Sequence, residues 1–334
     1  MKVLIWFDME GVSGIDNPRV CDFGSPLLQE GRKLSTADVN AVIRGLKRGG
    51  ATEISIFDGH DFGGNLIAED LDPSANYLSG GWEDTLAELI NTQALAKYNA
   101  LVLVGHHSQS GTVNGFYAHT VNPDVALRLN GQSVGEIELA AWLAGYFGVR
   151  TIMVSSDEAG VNEAKSLLPG IETVAVKKKT DSGVECFPLD EVHAQLEETA
   201  LNALGKLEEF KPYTLPTPIN IDILYKLPKL ADNMALFPGY KKKDERTVTY
   251  EAKDYLEAFW AFTAFQAILP EFVASFFRQM LRKVKRTVNV DLKTIQSEVT
   301  AELEKEFIPF PPINLHARVE RRISEDQARS RTKS

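Results

Sequence analysis

The chain has 334 residues, 44% of them apolar, so it is long enough to bury a large core and to form more than one domain. Its formal net charge of -10 argues against nonspecific nucleic-acid binding, which requires a basic surface. Its only cysteines, Cys21 and Cys186, are not in a CxxC pair, which excludes a disulfide scaffold and a cysteine-based zinc finger.

The first apolar run, VLIWF, is predicted to be a strand and not a signal peptide. It is interrupted by Asp8 and Glu10, which leaves it too short and too acidic for a signal sequence. The longest apolar stretch, which begins at Ala258, is broken by Gln266 and Pro270 and falls short of a clean span of roughly 20 residues. We therefore expect a cytoplasmic protein without a membrane-spanning segment.

Four short apolar runs in the first half are rich in β-branched and aromatic residues, as buried strands of a parallel sheet are. They are KVLIWF, EISIF, ALVLV and RTIMV. The segments between them are long enough for helices: TADVNAVIRGLKRGG has apolar residues at helical spacing, a predicted cap at Thr36 and an end at Gly49 and Gly50. This alternation predicts an α/β fold with a mostly parallel sheet flanked by helices.

A hairpin is predicted in ALRLNGQSVGE, because Asn130 and Gly131 stand between alternating residues. It leads directly into a predicted helix that begins near Glu136. The hairpin is predicted to belong to the first domain, together with a further strand, ETVAV, and an amphipathic helix that begins near Leu189.

Three prolines in KPYTLPTP predict a domain boundary. Residues 1–211 are predicted to form an α/β metal-binding catalytic domain, and residues 218–280 a smaller α+β domain. Residues 281–334 are predicted to be a charged, largely helical extension with a disordered polar end.

Potential metal ligands follow every one of the four predicted strands. The pairs are Asp8 and Glu10, Asp58 and His60, His106 and His107, and Asp157 and Glu158. In open α/β sheets, ligands bind outside the carboxyl ends of the strands, so these side chains are expected to converge on one edge of the sheet. Glycines nearby, at positions 11, 59 and 105, would allow the backbone to turn sharply and approach an ion closely.

Carboxylates and imidazoles without thiolates suit zinc or another first-row divalent metal, and a two-metal site needs a bridging carboxylate and about two more ligands for each ion. One set meets that requirement: Asp8, Glu10, His60, His107 and Glu136. Because neighbouring side chains in a strand alternate faces, only one of the adjacent histidines His106 and His107 is expected to face the site.

Simpler interpretations exist for single residues. An aspartate at a strand end is more often a turn or helix cap than a metal ligand. His193, in a predicted amphipathic helix, and His316, in the extension, are predicted to be packing or surface residues. Lys177 ends a charged strand and could face the cleft.

Four segments resemble the zinc-dependent D-aminopeptidases of the dipeptide-transport-associated type, peptidase family M55. They are FDMEGVSG, DGHDFGGN, GHHSQSGTVNGFYAHT and NGQSVGEIELAAWLAGYFGV, and the resemblance spans roughly residues 1 to 265. It implies that Asp8 bridges two zinc ions, with Glu10, His60, His107 and Glu136 as the other ligands. It also implies that His119 is the catalytic histidine and that the protein is a ring-shaped homo-oligomer, commonly a decamer.

The expected function is therefore that of a binuclear zinc aminopeptidase, with two zinc ions per subunit, that hydrolyses the N-terminal residue, expected to be of D configuration, from short peptides or amino-acid amides. One alternative is a binuclear hydrolase of another amide or of a phosphoester. A phosphoesterase would need a basic phosphate clamp, for which Arg32 and Lys177 are the candidates. Another alternative is a non-catalytic peptide-binding protein.

Overall fold

The computed structural model describes residues 1–78 and 80–263, which divide into two compact units. The first unit contains Met1–His119 and Gly135–Thr214, and the second contains Thr120–Val134 and the described residues from Leu215 onward. None of the helices in the described ranges has the length and apolar content needed to cross a membrane.

The strands and helices are numbered in chain order. The strands are β1 (Lys2–Phe7), β2 (Glu53–Asp58), β3 (Ala75–Leu78), β4 (Ala100–His106), β5 (Val125–Leu129), β6 (Gln132–Val134), β7 (Arg150–Asp157), β8 (Glu172–Thr180), β9 (Gly183–Cys186), β10 (Ile219–Tyr225), β11 (Lys241–Lys242) and β12 (Thr247–Ala252). The α-helices are α1 (Leu28–Arg48), α2 (Ala87–Asn91), α3 (Glu136–Tyr146), α4 (Glu158–Leu167), α5 (Leu189–Gly205) and α6 (Pro228–Met234). Residues 255–263 are also helical.

The first unit contains a seven-stranded sheet with the order β3-β2-β1-β4-β7-β8-β9. All neighbours are parallel except β9, which pairs with β8 in antiparallel orientation. The four apolar runs of the sequence are β1, β2, β4 and β7, so the predicted α/β fold with a mostly parallel sheet is confirmed. Because these strands are parallel, the residues that follow them reach the same edge of the sheet.

Helices α1 and α5 pack against each other and cover the core of the sheet. The side chains of Val39, Val42, Ile43 and Leu46 on α1 are completely buried. Burial of each such side chain contributes roughly 1.5 to 3 kcal/mol to folding. The helical spacing read from the sequence therefore marked the face of α1 that meets the core.

The predicted start of α1 at Thr36 is wrong, because the helix begins at Leu28. The hydroxyl of Thr36 donates to the carbonyl of Arg32 within the helix and accepts from the amide of Ile67. A threonine can cap a helix or form these bonds inside it, and the sequence does not distinguish the two. The predicted end is correct, since Gly49 is the C-cap.

The second unit contains a five-stranded sheet with the order β11-β12-β10-β5-β6. The predicted hairpin is present as β5 and β6, with Asn130 and Gly131 in the left-handed backbone conformation that the turn requires. Its placement with the first domain was wrong, because β5 pairs with β10. The Asn130 side chain strengthens that pairing: its amide donates to the carbonyl of Pro216, and its oxygen accepts from the amide of Asn220.

The strands predicted in INIDILY and RTVTYEA are β10 and β12, and part of the predicted helix LPKLADNMALF is α6. The predicted domain limits, 1–211 and 218–280, remain predictions. The extension 281–334 and His316 lie outside the described residues.

Candidate metal centre

The end of β1 is held close to the end of β4. The amide of Asp8 donates to the carbonyl of Val104 at 2.8 Å, and the amide of Gly11 donates to the carbonyl of Gly105 at 2.7 Å. A side chain at Gly11 would collide with the carbonyl of His106, and one at Gly105, whose φ is 74°, would collide with that of Asp8. Both positions therefore require glycine, and this close approach places Asp8 and Glu10 at the edge of the sheet.

His60, which follows β2, lies between the two carboxylates of the β1 end. Its Nδ1 atom is 3.2 Å from Asp8 Oδ1 and 3.2 Å from Glu10 Oε2. Its Nε2 atom lies 2.9 Å from the carbonyl oxygen of Cys21.

Asp58, the last residue of β2, does not belong to this cluster. Its carboxylate accepts from the amide and side chain of Asn65 at 2.6 and 3.1 Å, and from the hydroxyl of Tyr77 at 2.7 Å. Asp58 thus organises the loop that carries His60. It serves the turn, as the simpler interpretation of an aspartate at a strand end predicts, and not the metal site.

The adjacent histidines at the end of β4 separate as expected. His107 Nε2 lies 3.4 Å from Asp8 Oδ2 and 3.2 Å from Glu136 Oε1, while Nδ1 lies 3.0 Å from the carbonyl oxygen of Ser108. His106 is buried outside the cluster, where burial lowers its pKa to about 4. Only His107 contributes to the site.

His119 and Glu136 complete the cluster from the opposite side. His119 Nε2 lies 3.8 Å from Glu10 Oε1 and 3.8 Å from Glu136 Oε1, and its ring stacks on the His107 ring at a centroid distance of 3.9 Å. Its Nδ1 atom lies 2.8 Å from the carbonyl oxygen of Tyr117. Glu136 is the first residue of α3, so the start of that helix directs it into the cluster.

Three overlapping sets of ligand atoms result, and within each set the atoms lie within 4.8 Å of one another. The sets are Asp8, Glu10 and His60; Asp8, His107 and Glu136; and Glu10, His107 and His119. Asp8, Glu10 and His107 each belong to two of these sets. Asp8 is the carboxylate whose Oδ1 faces His60 and whose Oδ2 faces His107, as expected of a carboxylate that bridges two ions. The structure thus brings together all five residues of the predicted ligand set, and His119 with them.

The three imidazoles of the cluster share one arrangement. One ring nitrogen of each faces a backbone carbonyl oxygen, which can only accept a hydrogen bond, so that nitrogen carries the proton. The other nitrogen of each ring faces the carboxylates, where its lone pair would be available to a metal ion that displaces any proton on it. Metal-binding histidines are oriented in this way.

Several buried atoms of the cluster have no hydrogen-bond partner: Asp8 Oδ2, Glu10 Oε2 and His107 Nε2. Burial raises the pKa of Asp8 to about 8, and the like charge of Glu10 adds to this effect. Burial lowers the pKa of His107, but the carboxylates, Glu136 foremost, outweigh it and raise the pKa well above its usual value. Both shifts show that the cluster attracts positive charge, which a divalent metal would supply.

The strand-end candidates of β7 are not part of the cluster. Asp157 caps α4 through the amide of Gly160 at 3.0 Å and accepts from the amide of Phe116 at 2.6 Å. Glu158 is exposed on the first turn of α4. His193 lies near Asp38, with 3.1 Å between Nε2 and Oδ1, and takes no part in the cluster.

The two cations considered for a phosphate clamp bind backbone oxygens. Lys177 does not face the cleft: it is completely buried and donates to the carbonyls of Glu10 and Ile15. Arg32 donates to the carbonyl of Leu66.

The carbonyl groups of Cys21, Ser108 and Tyr117 have a role that the sequence did not reveal. Each fixes the orientation of one imidazole in the cluster. They are backbone atoms, so no residue type marks them.

Comparisons with known proteins agree with this geometry. A family model described as D-aminopeptidase matches residues 1–264. A D-aminopeptidase of Bacillus subtilis (strain 168) is 31% identical over 265 residues, which cover 78% of this chain and 95% of the relative. The solved structure of DppA from Bacillus subtilis, a Zn-dependent D-aminopeptidase described as a self-compartmentalizing protease, is 30% identical with a TM-score of 0.74. That match covers 80% of this chain and 97% of that one.

Proposed function

Since the chain belongs to the D-aminopeptidase family, peptidase family M55, we propose that it is a zinc-dependent aminopeptidase acting on short peptides or amino-acid amides with an N-terminal D residue. The observation that supports this most strongly is the position of Asp8, whose two carboxylate oxygens face the imidazoles of His60 and His107. A mononuclear catalytic site usually needs three protein ligands, and the cluster offers more than that.

The residues that would hold two zinc ions are those of the predicted ligand set: Asp8, Glu10, His60, His107 and Glu136. Bound there, zinc would lower the pKa of a water molecule to about 7 and polarise the scissile carbonyl. Asp8 would bridge the ions. The carbonyls behind His60 and His107 keep the ligand nitrogens directed inward.

His119 is proposed to transfer a proton or to stabilise the developing oxyanion. Its Nδ1–H is held by the Tyr117 carbonyl, which leaves Nε2 able to accept a proton. Burial, together with the charge of the neighbouring His107, lowers the pKa of His119. The neutral imidazole favoured by that shift is the form that acts as a general base.

The alternative functions receive less support. A phosphoesterase would need cations directed at the substrate, but the Lys177 ammonium is buried on two backbone carbonyls, and Arg32 donates to the Leu66 carbonyl and the Gln29 side chain. A non-catalytic peptide-binding protein would gain nothing from burying several carboxylate oxygens without donors, because each such acceptor costs about 1–3 kcal/mol.

The protein is further proposed to be a homo-oligomer, with a ring-shaped decamer as the specific form. The support is its similarity to a solved self-compartmentalizing protease over 80% of this chain. We expect a chain truncated at residue 280 to keep its assembly in light scattering. A monomeric truncated protein would contradict this and would assign the assembly to residues 281–334.

The activity is tested with a panel of D- and L-aminoacyl amides, each offered to metal-replete and metal-stripped protein. We expect hydrolysis of D-aminoacyl amides that disappears on removal of the metal and returns with zinc. Faster hydrolysis of the L series would contradict the proposed stereochemistry. Undiminished activity after complete metal removal would contradict the zinc mechanism.

A further inference from the structure

Lys177, on β8, is a completely buried lysine directly behind the proposed metal centre. Its ammonium donates to the carbonyl of Glu10 at 2.6 Å and to that of Ile15 at 2.7 Å. It also lies over the ring of Phe116, 4.2 Å from the centroid. Within the described residues, its hydrogen bonds thus go to backbone oxygens and not to a carboxylate.

This arrangement is costly for the stability of the fold. An ammonium group loses its hydration on burial, and two carbonyls and an aromatic ring replace that hydration only in part. An apolar side chain of similar length would avoid this cost but would leave the carbonyls of Glu10 and Ile15 without their donor, so the lysine at this position serves those two carbonyls.

The contacts of Lys177 connect the two segments that carry most of the proposed site. Glu10 contributes ligand atoms to two of the three sets. Phe116 lies in the loop between His107 and His119, and its amide is fixed by Asp157 at 2.6 Å. The ammonium therefore contacts both the backbone of a proposed ligand and the loop that carries the proposed catalytic histidine.

We propose that Lys177 is a positioning residue for the metal centre, which acts by holding the backbone of Glu10 so that the Glu10 carboxylate is preorganised for zinc. This inference rests on the proposed function. Groups that orient metal ligands from behind typically change metal affinity by 10- to 100-fold when they are removed.

The test compares wild type with Lys177→Met, which keeps the length of the side chain and removes its donors, and with Lys177→Gln, which is shorter and uncharged. Zinc dissociation constants are measured on the full chain by competition with a chromogenic chelator, and the folding of the metal-free proteins is measured by circular dichroism and thermal melting. We expect both variants to fold and to bind zinc 10- to 100-fold more weakly than wild type.

Lys178→Met is the matched control. Lys178 is the next residue on β8 and forms a surface ion pair with Glu185 at 3.2 Å, so this change removes the same charge without reaching the site. We expect wild-type zinc affinity for the control. An equal loss of affinity in the control would overturn the proposal, because a general charge effect would then explain the result.

Turnover at saturating zinc separates positioning from a role in the chemistry. We expect kcat of Lys177→Met to return to within about three-fold of wild type once zinc is saturating, because the ligands themselves are intact. A persistent defect in kcat at full zinc occupancy would overturn the proposal, as would unchanged zinc affinity in the folded variants. Failure of both variants to fold would also overturn it, by showing that Lys177 serves the fold. Wild-type protein that binds no zinc would instead refute the proposed function.

Discussion

The ends of β1 and β7 carry the same kinds of residue in sequence but differ in the structure. Asp8, after β1, accepts from the amide of Met9 through one oxygen, while its other oxygen is buried without a donor. Asp157, at the end of β7, has both oxygens occupied, by Ser156 and the amide of Gly160 on one and by the amide of Phe116 on the other.

This difference separates a ligand from a structural carboxylate. An acid whose oxygens are all satisfied by N–H and O–H donors needs no cation, whereas a buried carboxylate oxygen without donors has to be protonated or paired with a cation. The number of donors around each acid therefore distinguishes the two strand ends. The predictions below test that distinction by changing one end at a time.

The largest effect is expected for Asp8→Ala. Because the two oxygens of Asp8 face the two different histidines of the proposed ligand set, its loss should remove both metals, so that zinc falls from about two equivalents toward none and activity is lost. Elemental analysis and turnover on one preparation provide the measurement. Retention of two zinc equivalents by the variant would show that Asp8 does not bridge them.

A smaller but still large effect is expected for His119→Ala. If His119 transfers protons, the variant should keep its zinc while kcat falls by roughly 10² to 10⁴. His107→Ala is the matched comparison and should lose metal, since His107 belongs to two of the three sets.

Two results would assign His119 another role. Zinc loss in His119→Ala would make it a ligand, in agreement with its place in the third set of ligand atoms. Unchanged kcat with a lower melting temperature would make it a packing residue. Zinc content and kcat must therefore be measured on the same sample.

Asp157→Ala should affect stability and not metal binding. The change removes the N-cap of α4 and the acceptor for the amide of Phe116, and we expect the free energy of unfolding to fall by about 1–3 kcal/mol. Urea denaturation measures the loss. Zinc content should match wild type, and a loss of zinc equal to that of Asp8→Ala would remove the distinction between the two strand ends.

The smallest effect concerns Glu163 on α4, which supports the loop between His107 and His119. Its carboxyl group accepts from the amide of Gln109 at 2.8 Å and contacts the hydroxyl of Thr112. Burial raises its pKa to about 8, and the like charge of Glu138 adds to that shift. The folded protein therefore holds a proton that the unfolded chain, with a usual value of 4.5, has released.

Because the pKa is raised on folding, protonation of Glu163 stabilises the folded state fully below about pH 4.5. This stabilisation is lost as the pH rises through about 8. The glutamine side chain of Glu163→Gln cannot ionise. The unfolding free energy of this variant should therefore decrease less than that of wild type between about pH 5 and about pH 9, which spans this window. Chemical denaturation at several pH values measures the difference. Parallel curves for the two proteins would contradict the raised pKa.

Local sequence patterns were sufficient for the sheet and for the ligands that follow its strands. Apolar runs indicate buried strands, and the carboxyl ends of parallel strands share one edge, so Asp8, His60 and His107 could be predicted to meet. The roles of Glu136 and His119 were predicted from the family resemblance, because neither residue directly follows one of the four strands.

Other features depend on contacts between distant segments. The hairpin joins the second sheet because Asn130 bonds to residues around Pro216 and Asn220, which its local sequence does not indicate. In sequence, Asp58 and Asp157 look like Asp8, because all three stand at strand ends. Only the hydrogen-bond donors around each carboxylate, some of which come from other segments, distinguish them. The same holds for Lys177, whose carbonyl partners are more than 160 positions away in the chain.

The central claim is that the buried cluster at the end of β1 holds two zinc ions. The direct test is elemental analysis of wild-type protein purified without chelators. The account predicts about two zinc equivalents per chain, which Asp157→Ala should retain and Asp8→Ala should lose. A wild-type protein that contains no transition metal and does not take up zinc on titration would contradict it.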